Sequence, residues 1–245
     1  MIAPSGIDRL VQPANRLRDD AAAAAFPFGL AAEGVHEIAE ASHGDAGAIA
    51  GFALSALARS RPGIWLWIRE RVIALDHGRL TGLGAAAFGL DPARLLFVET
   101  GSVLEALMAT EEGLRSGAVS VVITELRDLD FTASRRLVLA SEHTATPSVL
   151  LLPYTREGAT AAHARWRISP MPSAPNLFDA RAPGRPRWRA LLERSRQAPG
   201  QAGRHFDLEF DDATLCQRLV PGLADRPAAA RPPQAGRVLP FRKAG

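Results

Sequence analysis

The sequence almost lacks lysine. Of its 29 basic residues 28 are arginine, and the single lysine is Lys243. A phosphate-binding loop of the G-x-x-x-x-G-K-[ST] type needs a lysine that meets the terminal phosphate oxygens. The composition leaves no such lysine for the folded body of the chain, and it therefore argues against an ATPase or GTPase with this loop.

Cysteine and long apolar runs are also scarce. The one cysteine, Cys216, excludes an internal disulfide and a cysteine-based zinc cage. The alanine-rich run 21–25 is far shorter than the roughly 20 apolar residues that a membrane helix needs, and the start of the sequence shows no signal-peptide pattern. The six histidines show no metal-ligand spacing. We expect a cytoplasmic protein with no metal, no cofactor and no contact with a membrane.

Charge is divided unevenly along the chain. Residues 1–180 hold 16 arginines and 20 carboxylates, a net charge of −4, whereas 181–245 hold 13 basic and 6 acidic residues, a net charge of +7. Such an imbalance is typical of a surface for nucleic acid or for an acidic partner. A solvated arginine-rich surface is the alternative, with about even weight.

Short apolar runs alternate with helical patterns between 34 and 152. The runs are GVHEI (34–38), GIWLWI (63–68), RLLFVE (94–99), AVSVVIT (118–124) and PSVLLL (147–152). Nearly continuous apolar runs are typical of strands buried on both faces of a parallel sheet. The alternation predicts an α/β fold with a doubly wound, mainly parallel sheet and flanking helices.

Three segments between these runs have helical patterns, namely 46–58, 103–116 and 132–143. In the second, Ser102 and Glu105 form a capping box and Gly117 is placed to end the helix. Its predicted core-facing stripe consists of Val103, Leu104, Leu107, Met108 and Leu114. The third is predicted to turn Leu137, Leu139 and Ala140 towards the core.

Beyond 152 the pattern changes to period-two segments at 163–169, 187–196 and 204–210. They predict antiparallel strands that extend the sheet, although the second fits a short helix equally well. The proline-rich stretch 225–245 predicts a disordered tail. The predicted organisation is a partly flexible N-terminal segment (1–24), a core (25–155), an antiparallel arginine-rich extension (156–212), a connecting segment (213–224) and the tail (225–245).

Several of these segments together resemble a RecA-type core. They are 33–38, 40–47, 80–102, 111–126 and 133–144. With ARWRI (164–168) and RPRWRALLERSR (185–196), the sequence is similar to the ImuA family of damage-inducible mutagenesis proteins over roughly 25–212. The resemblance implies a cytoplasmic SOS-response factor in translesion synthesis. It implies an ImuB-like, polymerase-related partner and an error-prone C-family DNA polymerase, with RecA as a further candidate.

The segment EASHGDAG (40–47) lies where the RecA pattern places its phosphate loop. The positions of the loop lysine and hydroxyl fall at Asp45, Ala46 and Gly47, and an aspartate repels a triphosphate. The loop is therefore predicted to be vestigial and to bind no cofactor, at Glu40, Ser42, Gly44, Asp45 and Gly47. Glu70 and Glu125 stand near the positions of the catalytic acids, and structural or solvated roles are favoured for both.

Arginines and tryptophans cluster towards the C-terminal end, in a combination that can grip phosphate and stack on bases. The candidate residues for contact with a partner or DNA are Arg165, Arg185, Arg187, Trp188, Arg189, Arg194 and Arg196, together with Leu239, Phe241 and Arg242 in the tail. Core packing is the favoured interpretation of Trp166 and Trp188. For the arginines, DNA, a partner protein and solubility remain open.

Two hypotheses for the function, from different classes of protein, fit the sequence. The first is a non-catalytic RecA-like adaptor in SOS-induced translesion DNA synthesis and mutagenesis. The alternative is a SulA-like inhibitor that binds the division GTPase. The arginine-rich strands and the tail favour the adaptor, and the scarcity of lysine disfavours a true ATPase.

Overall fold

The structure is a computed structural model that describes residues 30, 34–58, 60, 62–176, 178–179 and 181–220. The predicted N-terminal segment 1–24 and the tail 225–245 lie outside the described residues. So do three candidate contact residues, Leu239, Phe241 and Arg242.

The described chain forms one sheet of nine strands with helices on both faces. The strands are β1 (Val35–Glu40), β2 (Trp65–Glu70), β3 (Leu95–Thr100), β4 (Val121–Glu125), β5 (Ser148–Leu152), β6 (Ala164–Met171), β7 (Arg187–Ser195), β8 (His205–Asp211) and β9 (Cys216–Leu219). The helices are α1 (Ala46–Leu57), α2 (Arg71–His77), α3 (Gly82–Ala86), α4 (Val103–Ser116) and α5 (Phe131–Thr144). Two short 3-10 turns occupy Pro92–Arg94 and Pro199–Gln201.

The strand order is β3-β2-β4-β5-β1-β6-β7-β8-β9. The pairs from β3 to β6 are parallel, and those from β6 to β9 are antiparallel. The predicted fold class is therefore confirmed: an α/β fold with a mainly parallel sheet, flanking helices and antiparallel C-terminal strands. The proposed domain boundaries stay predictions.

Two cores lie on opposite faces of the sheet, because successive side chains of a strand point to opposite sides. Trp67 of β2 packs with Phe52 and Trp166 in the core beneath α1. Its neighbours Leu66 and Ile68 belong to the other core, beneath α4 and α5. A strand that contributes to both cores must be apolar at nearly every position, which explains the continuous apolar runs in the sequence.

The direction of one strand differs from the prediction. The segment 163–169 was expected to be antiparallel, but β6 pairs in parallel with β1 and is antiparallel only to β7. Alternation of apolar and polar residues determines the faces of a strand and carries no information on its direction. The segment 187–196, which fitted a helix equally well, is strand β7, and β9 lies inside the predicted connecting segment 213–224.

Helix α4 has the predicted cap. The Ser102 hydroxyl accepts a hydrogen bond from Glu105 N at 3.2 Å, and the Glu105 carboxylate accepts one from Gly101 N at 2.7 Å. The helix ends at Gly117, whose φ of 61° lies in the left-handed region that glycine adopts without strain. Local sequence chemistry therefore determines both ends of this helix.

The predicted buried stripe of α4 is wrong at two positions, since Leu104 and Met108 are 65% and 60% exposed. The buried residues of the helix are mostly small: Ala106, Thr110, Gly113 and Leu114. A Cβ atom on Gly113 would lie 2.5 Å from Leu66 Cδ2, so the glycine allows the helix to approach the sheet closely. Because the helix lies so close to the sheet, it buries the face that carries small residues. The face with the larger apolar side chains Leu104 and Met108 stays exposed. In α5, Leu139 is likewise exposed rather than buried.

A buried ionic cluster joins β1 to β6 and to the loop before it. The Glu37 carboxylate is fully buried. It accepts hydrogen bonds from Arg165 Nε at 2.7 Å and from Arg156 Nε and Nη2, each at 3.2 Å. The Thr160 hydroxyl also donates to it. One carboxylate therefore offsets part of the charge of two guanidinium groups inside the fold, and the network adds side-chain contacts to the backbone pairing of β1 with β6.

Replacing Glu37 should be costly, because Glu37→Gln leaves two largely buried guanidinium groups without their carboxylate. We expect the free energy of unfolding to fall by about 3–5 kcal/mol, as for other broken buried ion pairs. The matched control is Glu209→Gln, which removes a more exposed pair and should cost about 1 kcal/mol or less. Urea unfolding followed by tryptophan fluorescence measures both, and equal losses would contradict the central role of Glu37.

Candidate functional site

The loop between β1 and α1 lies at the carboxyl end of the sheet, where α/β folds bind ligands. Within the loop the Asp45 carboxylate accepts a hydrogen bond from Ser42 N at 2.9 Å, and it makes no side-chain cap hydrogen bond to helix α1. Gly44 has a φ of +94° and Gly47 is exposed. The Asp45 carboxylate thus takes up the backbone donor Ser42 N in the loop where a phosphate group would need such donors. It also adds negative charge to the loop.

A cavity of about 400 Å³ lies beside this loop, between the ends of the parallel strands and α1. We call it the strand-end cavity. Its walls are largely apolar and aromatic, and they include Ile49 and Leu54 of α1, Trp67 of β2, Phe88, and Trp188 of β7. The volume falls in the range of about 300–1,000 Å³ that is usual for ligand sites.

Two carboxyl groups lie in the wall of the strand-end cavity, Glu40 at the end of β1 and Glu125 at the end of β4. Burial raises the pKa of the Glu40 carboxyl above its ordinary value, against the opposing effect of nearby His77. Burial also raises the pKa of the Glu125 carboxyl, against the hydrogen bond that Trp67 Nε1 donates to it. The polar lining of the cavity therefore combines these two carboxyl groups with His77, Arg79 and Arg127.

The arginines on the rim of the cavity are already engaged. Arg79 Nε lies 2.8 Å from Glu99, and Arg127 Nη2 lies 2.8 Å from buried Glu70. Glu70 therefore has the structural role favoured for it. In the part of the chain that the structure describes, no three His, Cys, Asp or Glu side chains are placed to hold a metal ion. An anionic nucleotide would thus meet carboxylates in the cavity and occupied cations at its rim.

Two of the predicted contact residues are not on the surface. Arg165 is 7% exposed and belongs to the Glu37 cluster, and Trp188 is 4% exposed. The Trp188 ring packs near Phe52 and Phe88, with centroids 6.4 Å from each. Their inclusion as partner or DNA contacts is corrected here: both are core residues, because the inward face of a strand carries every second residue.

The arginines on the outward face of β7 form cross-strand ion pairs with β8. Arg187 pairs with Glu209 at 2.6 Å, and Arg189 pairs with Asp207 at 2.7 Å. Just before β7, Arg185 Nη2 lies 3.3 Å from Asp211. A matching signal exists in the sequence, since the carboxylates of HFDLEFD (205–211) recur with the same period of two as the arginines of RPRWR (185–189). We call this set the Arg–carboxylate ladder.

Arg194 and Arg196 differ from the ladder, because within the described residues neither has a carboxylate partner. Each is exposed and donates to a backbone carbonyl, Arg194 to Thr160 O at 2.8 Å and Arg196 to Ala161 O at 2.6 Å. They line a groove of about 360 Å³ together with Arg135, Phe131 and Leu139 of α5. We call this surface the arginine groove.

The arginine groove is mainly basic and apolar, and Glu142 is the one acidic residue in its lining. The exposed Phe131 and Leu139 add apolar area beside the guanidinium groups. Sequence reasoning missed Arg135, which lies 59 positions before Arg194 and meets it only through the packing of α5. It also missed Glu37, although a carboxylate inside an apolar strand is a signal of a buried partner.

Comparison with known proteins decides the family. No family model matches the chain. Protein ImuA of Caulobacter vibrioides, in strain NA1000 / CB15N and in strain ATCC 19089 / CIP 103742 / CB 15, is 36% identical over 192 residues, which cover 71% of this chain and 72% of the relative. The chain belongs to the ImuA family. The resemblance seen in the sequence is confirmed, and this ImuA-family chain has a role in damage-inducible mutagenesis.

Among solved structures, the chain is similar to SulA from Pseudomonas aeruginosa. The two are 20% identical with a TM-score of 0.40, over 49% of this chain and 97% of that one. Of the helices that the structure describes, none combines the length and the apolar character needed to cross a bilayer.

The placement of Trp188 predicts a stability effect. Trp188→Ala should lower the free energy of unfolding by about 3–5 kcal/mol, because it empties a buried aromatic position between α1 and the sheet. Tyr154→Ala is the matched control, since that aromatic ring is 44% exposed and its loss should change stability by about 0.5 kcal/mol. Denaturant unfolding measures both. An unchanged stability of Trp188→Ala would show that the residue is available for surface contacts.

Proposed function

We propose that the chain is a non-catalytic RecA-like adaptor in SOS-induced translesion DNA synthesis and mutagenesis. Membership of the ImuA family supports the process. The observation that supports the non-catalytic role is the loop between β1 and α1, which has no lysine and in which the Asp45 carboxylate accepts a hydrogen bond from Ser42 N. Without a lysine or another unengaged cation in the loop, a transferred phosphoryl group has no electrostatic stabilisation.

The proposed partners are an ImuB-like, polymerase-related protein and an error-prone C-family DNA polymerase. RecA is a third candidate, and direct contact with DNA is a further one. We propose the arginine groove as a contact surface, because Arg194 and Arg196 are exposed and offer charge that no carboxylate of the described fold neutralises. Exposed apolar side chains beside exposed guanidinium groups fit an acidic, partly apolar partner surface. The tail residues Leu239, Phe241 and Arg242 stay candidates for the same role.

The absence of nucleotide chemistry can be measured directly. We expect the purified full chain to show no micromolar binding of a fluorescent ATP analogue and no ATP hydrolysis above a blank without protein. The physical reason is that the loop presents Asp45 where a phosphate site presents a lysine. Micromolar binding that a change of Asp45 abolishes would overturn the non-catalytic role.

The cellular role is tested by deletion and complementation. Deleting the gene should lower the frequency of mutations induced by DNA damage and leave growth without damage normal. The full chain should restore the frequency, whereas Arg194→Glu with Arg196→Glu should not, because reversed charge repels an acidic partner surface. The control Arg71→Glu with Arg94→Glu changes the net charge equally on exposed residues away from the groove and should restore mutagenesis.

The same strains separate the adaptor from the SulA-like alternative. An inhibitor of the division GTPase should cause filamentous growth when it is overexpressed, and its deletion should leave induced mutation unchanged. Those two results together would replace the adaptor with the inhibitor. Equal complementation by the groove variant and by the full chain would move the contact surface away from the arginine groove.

A further inference from the structure

Buried carboxylates in this arginine-rich fold are matched with arginines, with one clear exception. The matched groups are Glu37 with Arg156 and Arg165, Glu70 with Arg127, Asp207 with Arg189, and Asp211 with Arg185 and Arg218. Glu40 is equally buried, at 3% exposed, yet no cation of the described residues pairs with it. Partly buried Glu125, in the same cavity, has no salt bridge within 4 Å among the described residues; Arg69 and His77 act on it only through space, as His77 does on Glu40.

The few hydrogen bonds of these two carboxylates leave acceptor capacity free. Glu125 accepts one from Trp67 Nε1, and Glu40 accepts a long one of 3.4 Å from Tyr154 N. An ionised carboxylate offers about four lone-pair sites. Burying a charged group without a partner is unfavourable, so a cation placed in the strand-end cavity would gain two acceptors and remove that cost.

The apolar walls of the strand-end cavity indicate which groups a bound cation would carry beside its charge. Ile49 and Leu54 contribute aliphatic surface, and Trp67, Phe88 and Trp188 contribute aromatic surface. Aromatic faces attract cations as well as apolar groups. The cavity therefore suits a guanidinium or ammonium group attached to an apolar body, at a size of a few side chains.

We propose that the strand-end cavity is a binding site for such a group and that its occupant is the chain's own segment 237–243, RVLPFRK. This segment combines Val238, Leu239 and Phe241 with three basic residues. The whole stretch 221–245 holds five basic residues and one acidic residue, a net charge of +4. The other terminal stretch, 1–29, holds three arginines and three aspartates and has no net charge. Charge complementarity thus favours the C-terminal segment.

The path of the chain allows this contact. Strand β9 lies against α1, where Gln217 Nε2 donates to Phe52 O at 3.2 Å and to Ser55 Oγ at 2.6 Å. The same helix lines the strand-end cavity through Ile49 and Leu54. The 17 residues from 220 to 237 reach up to about 55 Å when extended, far more than one helix diameter of about 10 Å. The proposal does not depend on the adaptor role, and a segment seated in the cavity would be withheld from partners.

Photo-cross-linking in the full chain tests the assignment. Benzoylphenylalanine in place of Phe241, irradiated at low micromolar protein concentration, should cross-link within the same chain to α1 or to the first residues of β7. In the background Glu40→Gln with Glu125→Gln, the yield should fall about tenfold, because charge-assisted hydrogen bonds are lost. Glutamine keeps the acceptor oxygen for Trp67 Nε1 and Tyr154 N, and circular dichroism checks that this background is folded.

A second variant makes the test independent of changes in the core. Arg242→Glu with Lys243→Glu alters only the segment and should lower the yield equally. The probe placed at Ala228 is the matched control and should give no cross-links in the cavity. The proposal would be overturned by cross-links outside the cavity, by a yield that neither set of substitutions changes, or by cross-links between isotopically distinct chains. The cavity would then be a site for a cationic group of a partner.

Discussion

The fold depends on the ion cluster centred on Glu37. This carboxylate lies on β1, the strand between β5 and β6 in the sheet, and it binds Arg156 and Arg165 from the segment that leads into and forms β6. The strands beyond β6 join the sheet through β6, and they also contact helix α1, where Gln217 of β9 donates to Phe52 O and Ser55 Oγ. The Glu37 carboxylate is therefore the buried ionic link between the parallel core and the antiparallel, arginine-rich part, beside the backbone pairing of β1 with β6 and the shared apolar core. Because the Glu37 carboxylate is buried, its arginine partners must keep a defined geometry, since a charge in the interior is costly without them.

A second constraint acts at the carboxyl end of the same strand. Glu40 ends β1, and the loop that follows has an aspartate in place of a phosphate-binding lysine. The strand-end cavity beside this loop lies where α/β folds bind ligands, and its interior is lined with Ile49, Leu54 and Trp188. An apolar interior and an aspartate in the loop distinguish this site from one built for a phosphate group. Retention of a fold does not require retention of its chemistry.

Sequence patterns predicted the elements of this fold better than their faces and neighbours. The apolar runs and the cap at Ser102 depend on residues close in sequence, and both were recognised. The face of α4 depends on how closely Gly113 approaches Leu66, a contact between residues 47 positions apart. Whether an arginine of β7 finds a carboxylate partner depends on which strand pairs with β7 at that position. Arg187 and Arg189 meet carboxylates of β8, whereas Arg194 lies beyond the part of β7 that pairs with β8, and its guanidinium remains exposed.

The Arg–carboxylate ladder responds to acid and alkali unequally. Coulombic attraction from Asp211 raises the pKa of Arg185 further above an ordinary value that is already beyond the alkaline range of most proteins. Burial alone would raise the pKa of Asp211, but hydrogen bonds from Thr214 and Ala213, with Arg218 and Arg185 nearby, hold it below its ordinary value. Its contribution to stability is therefore complete above that ordinary value and is lost as the pH falls through the lowered pKa. Acid, rather than alkali, therefore weakens the attachment of Arg185 and Arg218 to Asp211 at the end of β8.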